Sequence, residues 1–316
     1  MYYIGLDIGG TKCASSLGKT ENGKIEILDK DYFLNGNQNP CDVLNRFSSF
    51  IKKHLSDKKI EGIGISCGGP LDSKNGVIKK PPSLPLWDDV KIVEYFEDKF
   101  GIKTYLQNDA NACAFAEFKY GAGVGCENMV FLTFGTGFGA GLVLNGKLYS
   151  GANDNAGEIG HIRLTRNGPV GYYKKGSCEG YCSGSGIVRL ARIMSKRKEL
   201  ASSYETFVNA VGNENVSAKT IAEYARKGND FCKAVYKKSG KMLGRALSII
   251  VDLINPERIV IGGIYMRSGD LLYPDCIREM EKECLSFSLN EVNILSAKLG
   301  ENIGDFGALS VAQGDF

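Results

Sequence analysis

Residues 2–18 read YYIGLDIGGTKCASSLG, and this stretch is the most informative part of the sequence about the fold. Residues 2–8 and 12–18 are rich in apolar residues, as strands are, and only Gly9, Gly10 and Thr11 lie between them. A short glycine-rich connection between two such runs is typical of a hairpin. The sequence therefore predicts two strands joined by a tight turn, with Asp7 near the end of the first strand.

The segment from Asp7 to Lys12 carries the groups that a phosphate site needs. Backbone N–H groups of glycine can approach an anion closely because no β-carbon stands in the way. Threonine adds a hydroxyl that hydrogen-bonds phosphate oxygens, and the carboxylate of Asp7 can order the water shell of a magnesium ion. We interpret this turn as a candidate site for the phosphates of a nucleotide.

A second turn of the same kind opens the other half of the chain. Residues 132–137 read LTFGTG and resemble residues 6–11, LDIGGT. A domain duplication would produce two similar halves that face each other across a cleft, whereas coincidence between glycine-rich turns is the competing interpretation. The similarity alone does not decide between them, but two such turns together favour a nucleotide site more than either hairpin does.

Hydrophobic periodicity along the rest of the chain predicts strands that alternate with helices. Further strands are predicted at residues 24–33, 62–66, 103–106, 129–133, 140–144, 259–261 and 292–295. Helices are predicted at residues 42–55, 89–100, 111–120, 186–197, 218–227, 231–253, 271–284 and from 303. This alternation indicates the α/β class.

Two familiar nucleotide motifs do not occur. The sequence contains no G-x-x-x-x-G-K-[ST], which excludes a P-loop. The glycines at 135–141 lead into another strand and not into a helix, so a Rossmann dinucleotide site gains no support.

Composition excludes several function classes. The 316 residues are 43% hydrophobic and 24% charged, and the net charge is +3, which gives no electrostatic footprint for nucleic acid or an anionic membrane. No apolar run approaches the roughly 20 residues of a membrane span, and no signal peptide is recognised. The ten cysteines are scattered singly, as in a chain with reduced thiols. We expect a cytoplasmic protein.

Asp109 is the candidate acid–base residue. It lies in the run Asn108-Asp109-Ala110-Asn111, just after a predicted strand and at the start of a helix. Ligands of open α/β sheets bind at the carboxyl ends of strands, where a carboxylate can accept the proton of an attacking hydroxyl. The competing interpretation, that Asp109 caps the helix, is equally consistent with its position.

Polar residues suited to a sugar follow in the second half. Glu158 and His161 lie three residues apart, and Glu179 comes after a glycine-rich stretch. Sugars need several converging donors and acceptors, which carboxylates and an imidazole supply. A single histidine is more often structural, so His161 gains weight only from its neighbours.

Taken in order, these motifs resemble the ROK family of sugar kinases and repressors over nearly the whole chain. The motifs are residues 7–12, 68–72, 84–87, 108–112, 133–137, 157–161, 255–257, 259–263 and 304–308. The resemblance implies a two-domain actin-like ATPase fold, related to ribonuclease H, with a cleft between two lobes. It implies a small α/β domain at 1–117, to which the helix at about 303–316 returns, and a large α/β domain at 118–302.

The resemblance also implies a role for each matching position. Asp109 is implied as the base that activates the 6-hydroxyl of a hexose or hexose derivative. The implied sugar ligands are Gly69, Asn108, Glu158, His161 and Glu179. The implied ATP-phosphate and magnesium region comprises Asp7, Gly9, Gly10, Thr11, Lys12, Thr133, Gly135, Thr136 and Gly137, with Gly262 and Gly263 on the adenosine side. The expected cofactors are ATP and Mg²⁺, and the expected assembly is a homodimer.

The chain departs from the family pattern at two places. Many relatives bind zinc through the equivalent of His161 and three cysteines, but the matching positions here are Val170, Tyr172 and Ser177. One remaining ligand does not make a tetrahedral site, so we expect no structural zinc. Packing of Tyr172, Tyr173 and Tyr181 is expected to hold the loop of residues 165–180 instead. Ser83 and Leu86 replace the family's usual asparagine and glycine in a segment that contacts sugar in relatives.

Two alternatives to a sugar kinase stay open. One is a sugar-responsive transcriptional regulator, because the family contains both classes. Such regulators carry a helix-turn-helix ahead of the first phosphate turn, and that turn begins here at Asp7, so we expect none. The other is a catalytically silent sugar-binding protein, against which Asp109 and the two turns speak.

Overall fold

The computed structural model describes residues 1–36 and 39–316. The strands are β1 (Tyr2–Ile8), β2 (Lys12–Glu21), β3 (Lys24–Leu34), β4 (Ile60–Cys67), β5 (Leu71–Asp72), β6 (Val77–Ile78), β7 (Val90–Lys91), β8 (Thr104–Asn108), β9 (Met129–Phe134), β10 (Phe138–Leu144), β11 (Lys147–Tyr149), β12 (Val170–Gly171), β13 (Lys174–Lys175), β14 (Arg258–Ile261) and β15 (Asn293–Ser296).

The helices are α1 (Pro40–Leu55), α2 (Ile92–Phe100), α3 (Asp109–Tyr120), α4 (Cys178–Tyr181), α5 (Gly184–Met194), α6 (Ala201–Val211), α7 (Ala218–Arg226), α8 (Asp230–Ile254), α9 (Ile264–Glu283), α10 (Ser286–Glu291) and α11 (Ile303–Val311). Within residues 1–36 and 39–316, no helix combines the length and apolar character that crossing a bilayer requires.

The hairpin predicted from the opening residues is confirmed. Strands β1 and β2 pair antiparallel, with Ile8 opposite Cys13, so Gly9, Gly10 and Thr11 form the turn. The other predicted strands and helices are present, with ends that shift by a few residues. Helix α9 begins seven residues earlier than predicted, and α6 was not predicted. Phe207 is the single buried residue of α6, so this helix lacks a strong apolar stripe.

The first sheet has the strand order β3-β2-β1-β4-β8. Strands β1, β4 and β8 run parallel, whereas the β1–β2 and β2–β3 pairs are antiparallel. Because successive side chains of a strand alternate between faces, β1 serves two cores. Ile4, Leu6 and Ile8 belong to the core that includes residues of α1 and α2, while Tyr3 packs with Leu309 and Ala312 at α11.

Helix α1 shows how local sequence supports this sheet. The side chain of Asn39 accepts a hydrogen bond from the backbone N–H of Asp42 at 3.1 Å, which caps the helix, and Pro40 occupies the first turn. Phe47 and Ile51 of the same helix are fully buried in the first core. Their spacing of four residues places both on the face that meets the sheet.

The second sheet has the order β11-β10-β9-β14-β15. Strands β14 and β15 are parallel, with Arg258 opposite Asn293. Helix α8 packs along α9. It ends at Asn255, whose left-handed backbone (φ 50°) closes the last turn before Pro256.

The chain divides into two compact units. The first contains Met1–Phe131, Gly141–Gly157 and Lys298–Phe316, and the second contains Leu132–Ala140 and Glu158–Ala297. Helix α11 thus belongs to the first unit, together with the sheet that it covers. The domain limits expected from the sequence, 1–117 with about 303–316 and 118–302, stay a prediction.

Candidate active site

The predicted site residues fall into two groups, one in each unit. Asp7, Gly9, Gly10, Thr11, Lys12, Gly69, Asn108 and Asp109 belong to the first unit. Thr133, Gly135, Thr136, Gly137, Glu158, His161, Glu179, Gly262 and Gly263 belong to the second.

Hydrogen bonds hold the first glycine turn in shape. Gly9 N–H donates to the Lys12 carbonyl at 3.1 Å, which closes the turn. Asn35 supports it from the end of β3. Its backbone N–H donates to the Thr11 carbonyl, and its side-chain Nδ2 donates to the Gly9 carbonyl, both at 2.8 Å. The carbonyls of Gly9, Thr11 and Lys12 accept these three hydrogen bonds, which together fix the conformation of the turn.

Gly10 has to be a glycine because of a neighbour distant in sequence. A β-carbon on Gly10 would lie 2.6 Å from the Ser83 β-carbon and 2.8 Å from the Ser83 carbonyl oxygen, closer than atoms can approach. The turn therefore lies directly against the segment Ser83–Trp87. That segment holds both positions, Ser83 and Leu86, at which the sequence departs from the family pattern.

Asp7 lies beside this turn at the end of β1. Burial, and after it the negative charge of Asp109, raise the pKa of Asp7 to about 6, although a hydrogen bond from the Ser66 hydroxyl opposes the shift. Two carboxyl groups that disfavour each other's ionisation are suited to sharing a cation, since a positive charge relieves both.

Asn108, and not Asp109, is the residue that caps α3. The Asn108 side chain accepts a hydrogen bond from Ala110 N–H at 2.9 Å, and its backbone is extended, as in an N-cap. Asp109 lies in the first helical turn, where its Oδ1 also accepts from Ala110 N–H at 2.8 Å. The interpretation of Asp109 as the cap is therefore wrong. Within residues 1–36 and 39–316, the hydrogen bond recorded for its carboxyl group uses Oδ1 and not Oδ2.

The carboxyl group of Asp109 is accessible to solvent yet surrounded by protein. Asp109 as a whole is exposed. Desolvation by the surrounding protein nevertheless raises the pKa of its carboxyl group, and backbone hydrogen bonds oppose this rise only in part. A β-carbon on Gly68 would lie 3.9 Å from Asp109 Oδ2, and one on Gly69 would lie 3.4 Å from Asn108 Nδ2. Gly69, Asn108 and Asp109 therefore form one cluster at the ends of β4 and β8.

The second glycine turn has its own supports. Gly135 N–H donates to the Gly137 carbonyl at 3.1 Å, and Gly184 N–H, in the first turn of α5, donates to the Gly135 carbonyl at 2.8 Å. Thr133 Oγ1 accepts a hydrogen bond from Gly139 N–H at 3.1 Å, so the Thr133 hydroxyl links strands β9 and β10. Ser185 Oγ donates to the Thr136 carbonyl at 3.2 Å.

A cavity of about 540 Å³ opens beside this turn. It is lined by Gly135, Thr136, Gly184, Ser185, Val188, Val216, Ser217, Ala218, Lys219, Ile264 and Arg267. This volume lies within the range of small-molecule sites. The sequence analysis found Gly135 and Thr136 but missed the α5, α7 and α9 residues, whose only signal was the glycine- and serine-rich start of α5.

Gly263 packs against the second glycine turn. Its backbone has φ 66°, and a β-carbon there would lie 2.3 Å from the Phe134 carbonyl oxygen and 3.4 Å from Gly135 N. Gly262 N–H donates to the Leu132 carbonyl at 2.9 Å. The pair predicted on the adenosine side thus lies beside the second turn, although neither glycine lines the cavity.

Glu179 lies next to the second turn as well. Its Oε2 accepts a hydrogen bond from Phe138 N–H at 3.4 Å. The short 3₁₀ turn Ile159–His161 packs against α4, which carries Glu179. The His161 ring contacts Tyr172 edge-on with ring centres 4.6 Å apart. Glu158 is exposed at the start of the same turn.

Hydrogen bonds hold the loop of residues 165–180. Tyr181 is buried, and its hydroxyl pairs with Thr165 Oγ1 at 2.9 Å. Ser177, where many relatives have a zinc ligand, caps α4 and donates to the Gly171 carbonyl at 3.2 Å. Tyr172 packs on His161 and also contacts the Tyr173 ring edge-on, with ring centres 5.5 Å apart, although Tyr173 is 94% exposed and buries little surface. Among the described residues, no group of three or more His, Cys, Asp and Glu side chains is placed to hold a metal ion.

Comparisons with known proteins identify the family to which this chain belongs. The sequence model of the ROK family matches residues 3–315. The glucokinase of Thermotoga maritima is 30% identical over 311 residues, which cover 98% of this chain and 96% of that protein. The xylose repressor of Bacillus spizizenii is 26% identical, over 98% of this chain and 76% of that protein.

A solved structure is similar over the whole length. The ROK family glucokinase from Streptomyces griseus, in complex with glucose and AMPPNP, matches with a TM-score of 0.79 and 25% identity. The alignment covers 99% of this chain and 100% of that one.

Proposed function

Because the chain belongs to the ROK family and is an ATP-dependent sugar kinase, we propose that it phosphorylates the 6-hydroxyl of a hexose or hexose derivative with Asp109 as the general base. Its fold is the actin-like ATPase fold expected from the sequence. Location in the cytoplasm and assembly as a homodimer stay predictions.

The observation that carries the proposal is that Asn108 caps helix α3 and Asp109 does not. Asn108 satisfies the helix terminus, so replacing the Asp109 carboxyl does not remove the cap. Asp109 Oδ2 lies beside Gly68, at the end of β4, where open α/β sheets bind ligands. Its raised pKa makes it a stronger base than an ordinary aspartate once it is ionised.

In the proposed reaction the sugar hydroxyl oxygen forms a bond to the γ-phosphorus of ATP as the bond to the ADP oxygen breaks. The hydroxyl proton passes to Asp109. Backbone N–H groups of the two glycine turns stabilise the charge on the phosphoryl oxygens. Asp7, whose pKa is raised by burial and by Asp109, would hold Mg²⁺ through its water shell, and the ion would neutralise phosphate charge.

The nucleotide is assigned to the two glycine turns and to the cavity beside the second. The cavity of about 540 Å³ supports adenosine binding there, because its lining combines glycine and serine backbone with the apolar side chains of Val188 and Ile264. For the sugar we propose Gly69 and Asn108 from the first unit, and Glu158, His161 and Glu179 from the second.

A coupled assay of ADP release over a panel of hexoses and N-acetylated hexosamines tests the activity. The active sugar should give a 6-phosphate by phosphorus NMR, and its 6-deoxy analogue should bind without releasing ADP. Release of ADP with the 6-deoxy analogue would refute the assignment of the 6-hydroxyl. Sugar binding without ADP release for every sugar would favour the regulator, a class to which the xylose repressor belongs.

A further inference from the structure

A small cavity lies beside the first glycine turn. Its volume is about 10 Å³, and it is lined by Gly10, Asn35, Ser83, Leu84, Pro85, Leu86 and Trp87. Asn35 and Trp87 are each 1% exposed. Within residues 1–36 and 39–316, neither Asn35 Oδ1 nor Trp87 Nε1 has a hydrogen-bond partner. Two residues that line the same cavity thus each carry a buried polar atom without a partner among the described residues, one an acceptor and one a donor.

The orientation of the Asn35 amide is determined by its other contact. Nδ2 donates to the Gly9 carbonyl at 2.8 Å, and turning the amide over would place two acceptor oxygens against each other. The backbone N–H of Asn35 is also used, because it donates to the Thr11 carbonyl. Oδ1 is therefore the group left to the cavity, and an unpaired buried acceptor costs about 1–3 kcal/mol.

Hydrogen bonds also hold the backbone of Trp87, which lines the same cavity. Its backbone N–H donates to the Leu84 carbonyl at 3.0 Å, and its carbonyl accepts from Lys80 N–H at 2.6 Å. Its ring belongs to the first core, with Ile78 and Phe96. The packed core around the ring restricts its rotation, so the indole N–H depends on an acceptor close to where it now lies.

We propose that one water molecule binds between Trp87 Nε1 and Asn35 Oδ1, and that through it Asn35 positions the glycine turn for the phosphates of ATP. The indole donates to the water, and the water donates to the amide oxygen. A volume of about 10 Å³ is near the minimum that one water needs. The positioning role rests on the proposed function, whereas the water site does not.

The water ties the turn to the segment Ser83–Trp87. Ser83 already lies against Gly10, so a displacement of this segment shifts the turn by direct contact. Asn35 adds a polar connection between Gly9 and Trp87. Asn35 and Trp87 are positioning residues, since neither needs to touch a substrate.

Fluorescence of Trp87 tests the water directly, because Trp87 is the sole tryptophan in the chain. In Asn35→Ala the indole N–H loses its fixed polar partner, so we expect a shifted emission maximum in the protein without ligands. Ser48→Ala is the control, since this buried serine donates to the Leu44 carbonyl in the same unit but away from the turn. It should leave the emission unchanged. A crystal structure should show a water within about 3.2 Å of both atoms.

Kinetics test the positioning role. We expect Asn35→Ala to raise the KM for ATP about tenfold while the KM for the sugar changes less than about twofold. Trp87→Phe keeps an aromatic ring in the core but removes the N–H, and should raise the KM for ATP about threefold. The double variant should be no worse than Asn35→Ala alone, because both changes break one bridge. If Asn35→Ala does not fold, Trp87→Phe carries the test alone.

Each result has a distinct meaning. An empty cavity in the crystal, or unchanged emission in Asn35→Ala, would refute the water site. A normal KM for ATP in both single variants would refute the positioning role. If the wild type releases no ADP with any sugar while emission and crystal reveal the water, the proposed function and the positioning role fail and the water site stands.

Discussion

Asp109→Asn is the sharpest test of the catalytic assignment. The change keeps the size of the side chain and replaces a proton acceptor by an amide. General-base catalysis contributes about 10²–10⁴ in rate, so kcat should fall by that factor, equivalent to about 2.7–5.4 kcal/mol in activation free energy. Sugar affinity should change little, since Asp109 is not assigned to sugar binding. Helix α3 should stay intact because Asn108 supplies its cap.

Folding stability should move in the opposite direction from activity. Desolvation raises the pKa of Asp109 in the folded protein, so its ionisation destabilises the fold at pH values above that pKa. Asp109→Asn removes this effect, and the variant should be more stable than the wild type at pH 8. The advantage should vanish below the unfolded pKa of about 3.9, where the wild-type carboxyl is neutral.

The assay combines ADP release, sugar titration by calorimetry and urea unfolding at two pH values. Asp42→Asn is the matched control, because Asp42 is also an exposed aspartate in the first turn of a helix in the same unit. It should keep full activity and lose at most about 1 kcal/mol of stability. Turnover of Asp109→Asn within tenfold of the wild type would remove Asp109 from the role of base.

Three further outcomes are expected. Asp7→Asn should abolish the loss of stability that the wild type suffers as the pH rises through about 6; urea unfolding at pH 8 should find it about 1–3 kcal/mol more stable, and equal stabilities would contradict the raised pKa. Gly263→Ala should lower the melting temperature more than Gly23→Ala does, because both have positive φ but only Gly263 would clash, with the Phe134 carbonyl. A zinc-selective chelator should leave the melting temperature unchanged, whereas removal of Mg²⁺ should stop ADP release reversibly; a drop in melting temperature would reveal a structural zinc.

Local signals in the sequence were sufficient for much of this protein. The turn at Gly9, Gly10 and Thr11 was predictable because a three-residue glycine-rich connection depends on neighbouring backbone alone. Alternating apolar periods revealed the α/β class, and the ordered motifs revealed the family. Helix α6 escaped because its single buried residue, Phe207, leaves no periodic stripe.

Other properties depend on contacts between residues far apart in the chain, and these contacts are seen only in the tertiary structure. The sequence allowed Asp109 to be either the base or the helix cap, and backbone geometry assigned the cap to Asn108. The contact of Gly10 with Ser83 and the effect of Asp109 on the pKa of Asp7 arise from packing between strands and loops. Such contacts leave no periodic trace in the sequence, because periodicity records which face of an element is buried and not what covers it.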